Sequence, residues 1–409
     1  MRAVVVGAGM SGLVAADELR RAGHQVAVLE ARDRVGGRLW TLHDGLFGGQ
    51  FAELGAETLY VGQHNVLALV ERFGLEAVPC GYFDPEAPGM LIGGRRLPRV
   101  ERVRVTGWLR ERYRDAPPAP FENLQAWSSR LSAPAEVVAF LTAFAQYTPV
   151  TSLRHADAGE FERQLTHEGG SYRISGGNDL LARRLAAELD IRLGERVRAI
   201  RWRSGGAVVE TEEGSVAADR VVVTVPGPLT VGLGFDPPLP PEKVRALAEL
   251  CYGTATKVVV QYAERAAVAA AVRAGCFTDG VAPWLVEQSR HQSGDSALLS
   301  SMPGGDAEPA SVDDAFLDAL DRDVAVLAGR QVTRLAALSH SWTRDEFARA
   351  VVRAPLGDQR VRVLPEVRRP LADVVFFAGE HTDDRVGPGG LEGAVRSGMR
   401  ASSEALAAG

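Results

Sequence analysis

Residues 2–31 read RAVVVGAGMSGLVAADELRRAGHQVAVLEA, and they carry the clearest folding pattern in the chain. The stretch opens with a short run of apolar β-branched residues that ends in glycines, which is typical of a buried strand. Leu13, Ala16 and Leu19 then recur at helical spacing up to Gly23, and a second apolar run follows. The order strand, helix, strand predicts a βαβ unit with two parallel strands.

The glycines at the first turn of this unit have the spacing of a phosphate-binding loop. Gly7 permits the tight turn, Gly9 lets a pyrophosphate approach the backbone, and Gly12 permits close packing of helix on strand. Glu30 ends the second strand, where its carboxylate can accept hydrogen bonds from a ribose diol. The pattern predicts a dinucleotide site and disfavours NADP, since an acid repels a 2′-phosphate. NAD and FAD both remain open at this point.

A second glycine pair follows within the stretch ARDRVGGRLWT, residues 31–41. Gly36 and Gly37 would let the backbone pass close to a cofactor, and Arg32 or Arg38 could neutralise a diphosphate. The alternative interpretation is a surface turn with solvated arginines. These residues alone do not separate the two.

Length and composition favour a two-domain protein with a small-molecule substrate. A chain of 409 residues exceeds one ordinary core, and a net charge of −6 without a long basic stripe argues against nucleic acid as a partner. The three cysteines lack a CxxC and favour reduced thiols, and no spacing predicts a metal site. The chain leads straight into a strand, and no apolar run approaches the roughly 20 residues of a spanning helix. We therefore expect a cytoplasmic protein without a membrane partner.

One lysine stands out in a chain that otherwise uses arginine. Lys257 lies in the apolar stretch YGTATKVVVQYAE, residues 252–264, and Lys243 is the only other lysine among 46 basic residues. In an apolar site a lysine can lose its proton, and it can hold a single water as a point donor. The alternative is a strand-edge lysine with its ammonium in solvent, which is the commonest environment of this residue.

Helix-then-strand patterns recur between mixed segments, which predicts two domains built from separate pieces of chain. GGNDLLARRLAAELDIRLGERVRAI (176–200), SVAADRVVVTVP (215–226) and DVVFFAG (373–379) read as parts of the first domain. The second of these stretches is predicted as one buried strand, and RDAPPAPFE (114–122) as an exposed loop. The first domain is predicted to comprise 1–65, 170–245 and 335–409, and the second to comprise 66–169 and 246–334.

These stretches, taken together, resemble the flavin-containing amine oxidase family of monoamine, polyamine and L-amino-acid oxidases. The further stretches in the family's order are FAELGAE (51–57), ISGGNDLLARRLA (174–186), ERVRAI (195–200), SHSWTRDEFARA (339–350), FFAGEHT (376–382) and LEGAVRSG (391–398). The resemblance implies an α/β fold in which a Rossmann-like, glutathione-reductase-type FAD-binding domain is interleaved with an α+β substrate domain.

The resemblance also implies where FAD lies. Cys251 and Cys276 are far from the C-terminal segment that carries the covalent link in mitochondrial monoamine oxidases, so FAD should be held non-covalently. The helix that opens at Leu391 would direct its positive end at the flavin. The implied cofactor residues are Gly7, Gly9, Ser11, Gly12, Glu30, Arg32, Gly37, Arg38, Gly55, Ala56, Glu57, Val197, Gly379, Glu380 and Leu391.

At the reacting end, the family places a lysine that holds a water beside flavin N5, and Lys257 matches it by context. This chain departs from the family where Gly390 replaces an aromatic residue, and Phe347 aligns poorly with a second one. An open flavin face favours a bulky substrate. The expected lining residues are Glu57, Tyr60, Trp342 and Gly390, although Tyr60 and Trp342 could equally be core aromatics.

The expected function is therefore that of an FAD-dependent oxidase. It would move hydride from a C–N bond of a bulky or secondary-metabolite amine to flavin N5, and O2 would then give hydrogen peroxide. The alternatives are a desaturase or dehydrogenase acting on C–C bonds, and a flavoprotein that catalyses a non-redox cyclisation. A monomer and a homodimer are both compatible with the sequence.

Overall fold

The structure, a computed structural model, describes residues 1–80, 84, 86–165, 170–354, 359–384 and 390–408. The strands are β1 (Arg2–Val6), β2 (Gln25–Glu30), β3 (Thr41–Leu42), β4 (Ala52–Glu53), β5 (Leu59–Tyr60), β6 (Ala77–Pro79), β7 (Gly89–Ile92), β8 (Arg95–Arg96), β9 (Ser171–Ile174), β10 (Asp190–Leu193), β11 (Val197–Arg203), β12 (Gly206–Thr211), β13 (Ser215–Ala218), β14 (Arg220–Val223), β15 (Gly234–Asp236), β16 (Thr256–Tyr262), β17 (Cys276–Thr278), β18 (Trp284–Glu287), β19 (Ala297–Ser301), β20 (Arg334–Ser341) and β21 (Val375–Phe377). The helices are α1 (Met10–Arg21), α2 (His64–Arg72), α3 (Arg99–Asp115), α4 (Leu124–Arg130), α5 (Ala135–Tyr147), α6 (Ala158–Leu165), α7 (Leu180–Ala186), α8 (Gly227–Thr230), α9 (Pro241–Glu249), α10 (Arg265–Ala271), α11 (Asp314–Ala328), α12 (Gln359–Arg362), α13 (Leu364–Arg368) and α14 (Gly390–Ala407).

A five-stranded parallel sheet in the order β10-β2-β1-β14-β21 organises the first part of the molecule. Its central strands are rich in valine because both faces are covered. Val5 packs with residues of α1 and α14, whereas Val4 and Val6 pack toward β11 and β12. The βαβ unit predicted for residues 2–31 is confirmed, since β1 and β2 are parallel neighbours joined by α1.

The lysine strand belongs to a second, seven-stranded sheet in the order β20-β16-β19-β18-β17-β7-β8. Every residue of β16 is buried, so the predicted buried strand around Lys257 is confirmed. Alternation of side chains turns Val258 and Val260 toward the core with α10 and α11. Val259 packs on the opposite face against Ala52 and Leu54, and the same alternation turns Lys257 to that face.

Helices α3 to α6 form a separate layer against β17 and β18. Its core is aromatic and includes Trp127, Phe140 and Phe161, with Phe277 and Trp284 contributed by the two strands. The predicted loop at residues 114–122 begins inside the last turn of α3, which ends at Asp115, and then connects α3 to α4. This layer therefore brings residues 99–165 next to residues 276–287 of the seven-stranded sheet.

The structure corrects three details of the predicted organisation. The boundary at 245/246 falls inside α9, and the boundary at 334/335 falls inside β20, which is hydrogen-bonded to β16 of the seven-stranded sheet. Residues 215–226 form two strands instead of one. Asp219 interrupts them by accepting a hydrogen bond from the Arg2 amide at 2.7 Å, which lets β13 pair with β12 and β14 pair with β1.

Across the described part of the chain, no helix combines the length and apolarity needed to cross a bilayer. Within the same residues, histidine, cysteine and carboxylate side chains do not gather into a group of three that could hold a metal ion.

Candidate active site

The glycine turn, residues 7–12, has the geometry that its spacing predicts. Gly7 has a φ of +102°, which favours glycine, and a Cβ on Gly12 would lie 2.0 Å from the Gly7 carbonyl oxygen. Gly12 is therefore required for packing. A Cβ on Gly9 would meet no protein atom within 4 Å, so the protein itself leaves space beside Gly9. That space is where a pyrophosphate would approach the first N–H groups of α1.

Glu30 is held at the end of β2 by the backbone of the adjacent loops. Its Oε2 accepts from the Ala8 amide at 2.7 Å and its Oε1 from the Arg32 amide at 2.9 Å. Burial raises the pKa of the Glu30 carboxyl, and the two backbone hydrogen bonds oppose that rise. Each oxygen keeps a further lone pair, so the carboxylate can still accept from a ribose hydroxyl.

The second glycine pair packs directly on the glycine turn. Gly36 forms a β-bridge with Gly9, and Gly37 has a φ of +56° with its virtual Cβ 3.2 Å from the Gly9 Cα. This stretch therefore lies against the glycine turn, and its contact with a cofactor stays a prediction. Arg32, however, forms an ion pair with Asp345, so its charge is already balanced within the protein.

Three further cofactor candidates come from distant parts of the chain. Val197 begins β11 and lines the same cavity as the glycine turn. Glu380 follows β21, where it accepts from the Arg353 amide at 3.0 Å and from Arg38 at 3.3 Å. Gly379 precedes it with a φ of +118° that favours glycine.

The start of α14 leaves room at the cavity wall. Gly390 and Leu391 both line the cavity, and among the described residues no atom lies within 4 Å of a Cβ placed on Gly390. Ser11 of α1 also lines it. The open flavin face expected at Gly390 stays a prediction.

Gly55 and Ala56 are placed by backbone packing. A Cβ on Gly55 would lie 2.1 Å from the Arg38 carbonyl oxygen, and the Ala56 amide donates to that same oxygen at 3.0 Å. The chain therefore needs glycine at position 55 for its own packing. The contact also brings both residues and Glu57 to the cavity wall.

Glu57 and Lys257 meet in a buried cluster with Arg173 and Ser300, which we call the lysine cluster. Lys257 and Arg173 each form an ion pair with the Glu57 carboxylate. The Ser300 hydroxyl donates at 2.8 Å to Oε2 and lies 3.0 Å from Oε1. Burial opposes ionisation of Glu57, but the charges of Lys257 and Arg173 outweigh it and lower the pKa of this carboxyl.

The structure corrects the expected surroundings of Lys257. The lysine is buried, at 2% exposed, which excludes the solvated strand-edge alternative. The expectation of an apolar site is also wrong, because the nearest partner of its Nζ is the Glu57 carboxylate. The sequence analysis named both residues but did not pair them. A buried lysine needs a partner, and that rule alone could have suggested a search for a buried acid.

Tyr60 and Trp342 both line the cavity, as expected. Burial raises the pKa of Tyr60 to about 12, so its phenol stays neutral. The Trp342 indole donates to the Leu54 carbonyl at 2.8 Å and packs edge-on against Trp40 and His340. Trp342 therefore also serves as a core aromatic, which was its alternative interpretation.

Further aromatic residues of the cavity were missed by the sequence analysis. With Tyr60 they form what we call the aromatic wall, and the missed members are Phe144, Tyr147, Phe277 and Trp284. Tyr147 shares a hydrogen bond with Trp284, and burial holds the pKa of the Tyr147 phenol well above its ordinary value. The spacing of Phe140, Phe144 and Tyr147 on α5 was a readable signal for one aromatic face.

Phe347 lines the same cavity as the glycine turn and Val197. The Arg32 and Arg196 guanidinium groups lie 5.3 and 5.4 Å from the centre of its ring. Its position agrees with the poor alignment noted from the sequence, since these arginines flank the glycine turn and Val197.

A single cavity of about 1460 Å³ is lined by most of these groups. The glycine turn, Glu30, Val197, Glu380, Lys257 and the aromatic wall all contribute to its lining. Pockets for one drug-sized ligand measure roughly 300–1,000 Å³. The cavity therefore has room for a dinucleotide together with a second molecule, and the open space beside Gly9 fits the phosphates of that dinucleotide.

Known proteins resemble this chain in sequence and in fold. The family model described as "Flavin containing amine oxidoreductase" matches residues 10–136 and 128–406. The Mycobacterium tuberculosis protein AofH, whose name describes a flavin-containing monoamine oxidase, is 28% identical over 99% of this chain and 96% of its own length. Putrescine oxidase of Kocuria rosea is 30% identical over 58% of this chain and 59% of its own length. A solved putrescine oxidase bound to putrescine has a TM-score of 0.84 at 22% identity, covering 100% of this chain and 99% of its own.

Proposed function

The chain belongs to the flavin-containing amine oxidoreductase family and is an FAD-dependent oxidoreductase, and from that premise we propose an oxidase of bulky amines. In the proposed reaction a C–N bond of the amine loses two electrons and two protons and becomes an imine. O2 takes up the same two electrons and two protons and becomes hydrogen peroxide. FAD, when bound, supplies the acceptor that connects the two halves.

The observation that carries the proposal is the continuity of the cavity. A glycine turn suited to phosphates, a buried lysine and an aromatic wall line one space of about 1460 Å³. A protein that only bound the cofactor would not require the part of the cavity that the aromatic wall lines. The proposed FAD contacts are those expected from the sequence, with the ADP half along the glycine turn, Gly37, Glu30 and Val197.

The cofactor would reach from the parallel sheet to the lysine cluster. The backbone N–H groups of the glycine turn suit the phosphates, and Glu30 suits the ribose diol. Glu380, Gly379 and the start of α14 at Leu391 would hold the flavin end, where the positive end of the helix favours negative charge. The parallel sheet would form an FAD-binding, Rossmann-like domain, and the helical layer with the seven-stranded sheet a substrate domain. We propose non-covalent binding, because Cys80 and Cys276 are buried and neither they nor Cys251 line the cavity.

The substrate would lie between the lysine cluster and the aromatic wall. Tyr60, Phe144, Tyr147, Phe277 and Trp284 offer large apolar faces, while Gly390 adds no side chain to the cavity wall. This pairing suits an amine with a bulky ring system, of the kind found in secondary metabolism. Phe121 is 65% exposed and also lines the cavity, so its loop lies at the opening through which such a substrate would enter.

Lys257 would act on the reacting end through a donated hydrogen bond and its positive charge. It lines the cavity from a strand whose every residue is buried, so its position is fixed by the sheet. A fixed donor in a water-poor site stabilises developing negative charge without reorganisation. We also propose a cytoplasmic location, which the three free cysteines support.

The proposal is tested by adding amines to the purified yellow protein in the absence of air. Bulky primary and secondary amines are expected to bleach the flavin absorbance, and air should then restore it with one hydrogen peroxide per flavin. Bleaching by C–H substrates that lack nitrogen, or reoxidation only by another acceptor, would favour a desaturase or dehydrogenase. A flavin spectrum that no amine changes would contradict the proposal.

A further inference from the structure

The lysine cluster contains more positive than negative charge, and it is closed to solvent. The side chains of Lys257, Glu57 and Arg173 are 3%, 6% and 10% exposed. Two cations thus share a single carboxylate. Burial of an unpaired charge is costly, so the position of this one anion decides where both cations can be accommodated.

Both oxygens of Glu57 are fully used within the cluster. Oε2 accepts from Lys257 and Ser300, and Oε1 accepts from Arg173. Arg173 is itself fixed, because its other terminal nitrogen donates to the Glu287 carbonyl at 3.1 Å. The carboxylate is therefore held in one orientation, and little of its hydrogen-bonding capacity is left for a substrate.

The sheet geometry explains how these groups come together. Ser300 lies opposite Val259 in the antiparallel pair of β16 and β19, so its side chain shares a face with Lys257. Arg173 arrives from β9, and Glu57 from the segment between β4 and β5. Two sheets and the segment between β4 and β5 therefore contribute to the cluster.

Among the described residues, Glu53, Tyr60, Cys80 and Tyr147 also interact with the Glu57 charge, and none of them supplies a second anion at neutral pH. Burial raises the pKa of Glu53 to about 8, which keeps that carboxyl protonated. Burial also raises the pKa of Tyr60 and of Cys80 to about 12 each. Tyr147 is likewise neutral. Glu57 is therefore the anion that balances the positive charge of Lys257.

We propose that Glu57 is a positioning residue that holds Lys257 as an ammonium ion in one orientation at the cavity wall. Lys257 then acts as a hydrogen-bond donor and a fixed positive charge, and it does not act as a base that removes a proton from the amine. The catalytic meaning of this inference rests on the proposed function. The protonation state of Lys257 does not, and it can be measured in the FAD-loaded protein without any substrate.

The chain is well suited to that measurement because it has two lysines. Carbon-13 labelling of lysine Cε should give two side-chain signals in a proton–carbon NMR spectrum, and each shifts when its ammonium loses a proton. Lys257→Met removes one signal and so assigns both. Lys243 is an internal reference, since burial lowers its pKa to about 8.

In the wild-type holoprotein the Lys243 signal should titrate near pH 8, while the Lys257 signal should stay at its ammonium position through that range. Glu57→Gln removes the anion and leaves Lys257 beside Arg173. The Lys257 midpoint should then fall by at least about one pH unit, as expected when an opposite charge within contact is lost. Glu53→Gln is the matched control, because it replaces a nearby buried, protonated glutamate that does not contact Lys257, and it should leave the Lys257 signal as in wild type.

The inference would be overturned if Lys257 in the wild-type protein lost its proton at or below the pH at which Lys243 does. It would also be overturned if Glu57→Gln left the Lys257 titration unchanged. The first result requires only the Lys257→Met assignment and no Glu57 variant, so the inference can still be overturned if the Glu57→Gln protein misfolds. A failure to find any oxidised amine would contradict the proposed function but would leave this titration unaffected.

Discussion

The glycine turn and the lysine cluster line the same cavity but are built in different ways. In the glycine turn the geometry comes from backbone conformation within a few residues, as the φ of +102° at Gly7 and the space beside Gly9 illustrate. In the lysine cluster the geometry comes from side chains far apart in sequence, with Glu57 in the segment between β4 and β5 and Lys257 on β16. The first region is suited to hold a cofactor, and the second to influence a reaction. Substitutions in the two regions should therefore separate cofactor retention from turnover.

The largest expected effect concerns Lys257. Lys257→Met keeps a similar volume, so FAD should remain bound while flavin reduction and reoxidation slow by about 10²–10³, the usual loss for one preorganised charge or donor. Reoxidation should suffer at least as much as reduction, since the positive charge assists O2. Rapid mixing of the oxidised enzyme with amine measures flavin reduction, and rapid mixing of the reduced enzyme with O2 measures reoxidation. Near wild-type rates in a flavin-replete variant would remove Lys257 from the reaction.

Two alanine substitutions in the glycine turn sharpen the contrast between cofactor contact and protein packing. Gly9→Ala places its Cβ where no protein atom lies within 4 Å, so the apoprotein should keep its stability while FAD affinity falls at least about tenfold, or roughly 1.4 kcal/mol. Gly12→Ala should instead destabilise the apoprotein by about 1–3 kcal/mol through overpacking. Denaturant unfolding and FAD reconstitution give the two quantities. If the two variants changed apoprotein stability and FAD affinity to the same extent, the assignment of the open space to the cofactor would be contradicted.

Glu30 should have a smaller effect, limited to affinity for FAD. Glu30→Ala removes a charge-assisted hydrogen bond worth about 1.5–3 kcal/mol, so FAD should bind roughly 10- to 150-fold more weakly. Glu188→Ala serves as a control, because that carboxylate is 67% exposed and forms an ion pair with Arg20 on the surface. Fluorescence titration of each apoprotein with FAD compares the FAD affinities of the two variants. Unchanged affinity in Glu30→Ala would place the ribose elsewhere.

The smallest effect is a pH dependence of stability that comes from Glu53. Burial raises the pKa of Glu53 to about 8, so its contribution to folding is complete at acidic pH and is lost as the pH rises toward 8. Glu53→Gln does not titrate, and it should gain at least about 1 kcal/mol over wild type between pH 5 and pH 8. Unfolding in denaturant at both pH values measures this gain. A constant difference between the two proteins would show that Glu53 is ionised in the folded state.

The parts of the fold that sequence patterns predicted are those set by local spacing. The units β1–α1–β2, α7–β10 and β21–α14 each lie within a short stretch, where periodicity and glycine positions are sufficient. The seven-stranded sheet was not predictable in this way. Its pairing of β7 with β17 joins residues 89–92 to residues 276–278, and no local pattern specifies such a partner.

The same distinction holds within the candidate site. Glu30, the glycines and Lys257 were found because motif spacing or unusual composition marks them. The contact of Lys257 with Glu57, and the contribution of Arg173, depend on how the seven-stranded sheet packs against β9 and the segment between β4 and β5. The aromatic wall was missed for the same reason, because Phe144 and Tyr147 belong to α5 while Phe277 and Trp284 belong to strands far along the chain.

The most direct test of the account is a crystal structure of the holoenzyme with an amine bound in the absence of air. We expect the pyrophosphate of FAD against the glycine turn, the flavin end beside Lys257 and Gly390, and the amine between the flavin and the aromatic wall. A flavin placed away from Lys257, or an amine bound outside the aromatic wall, would contradict the claim that one cavity joins cofactor binding to amine oxidation.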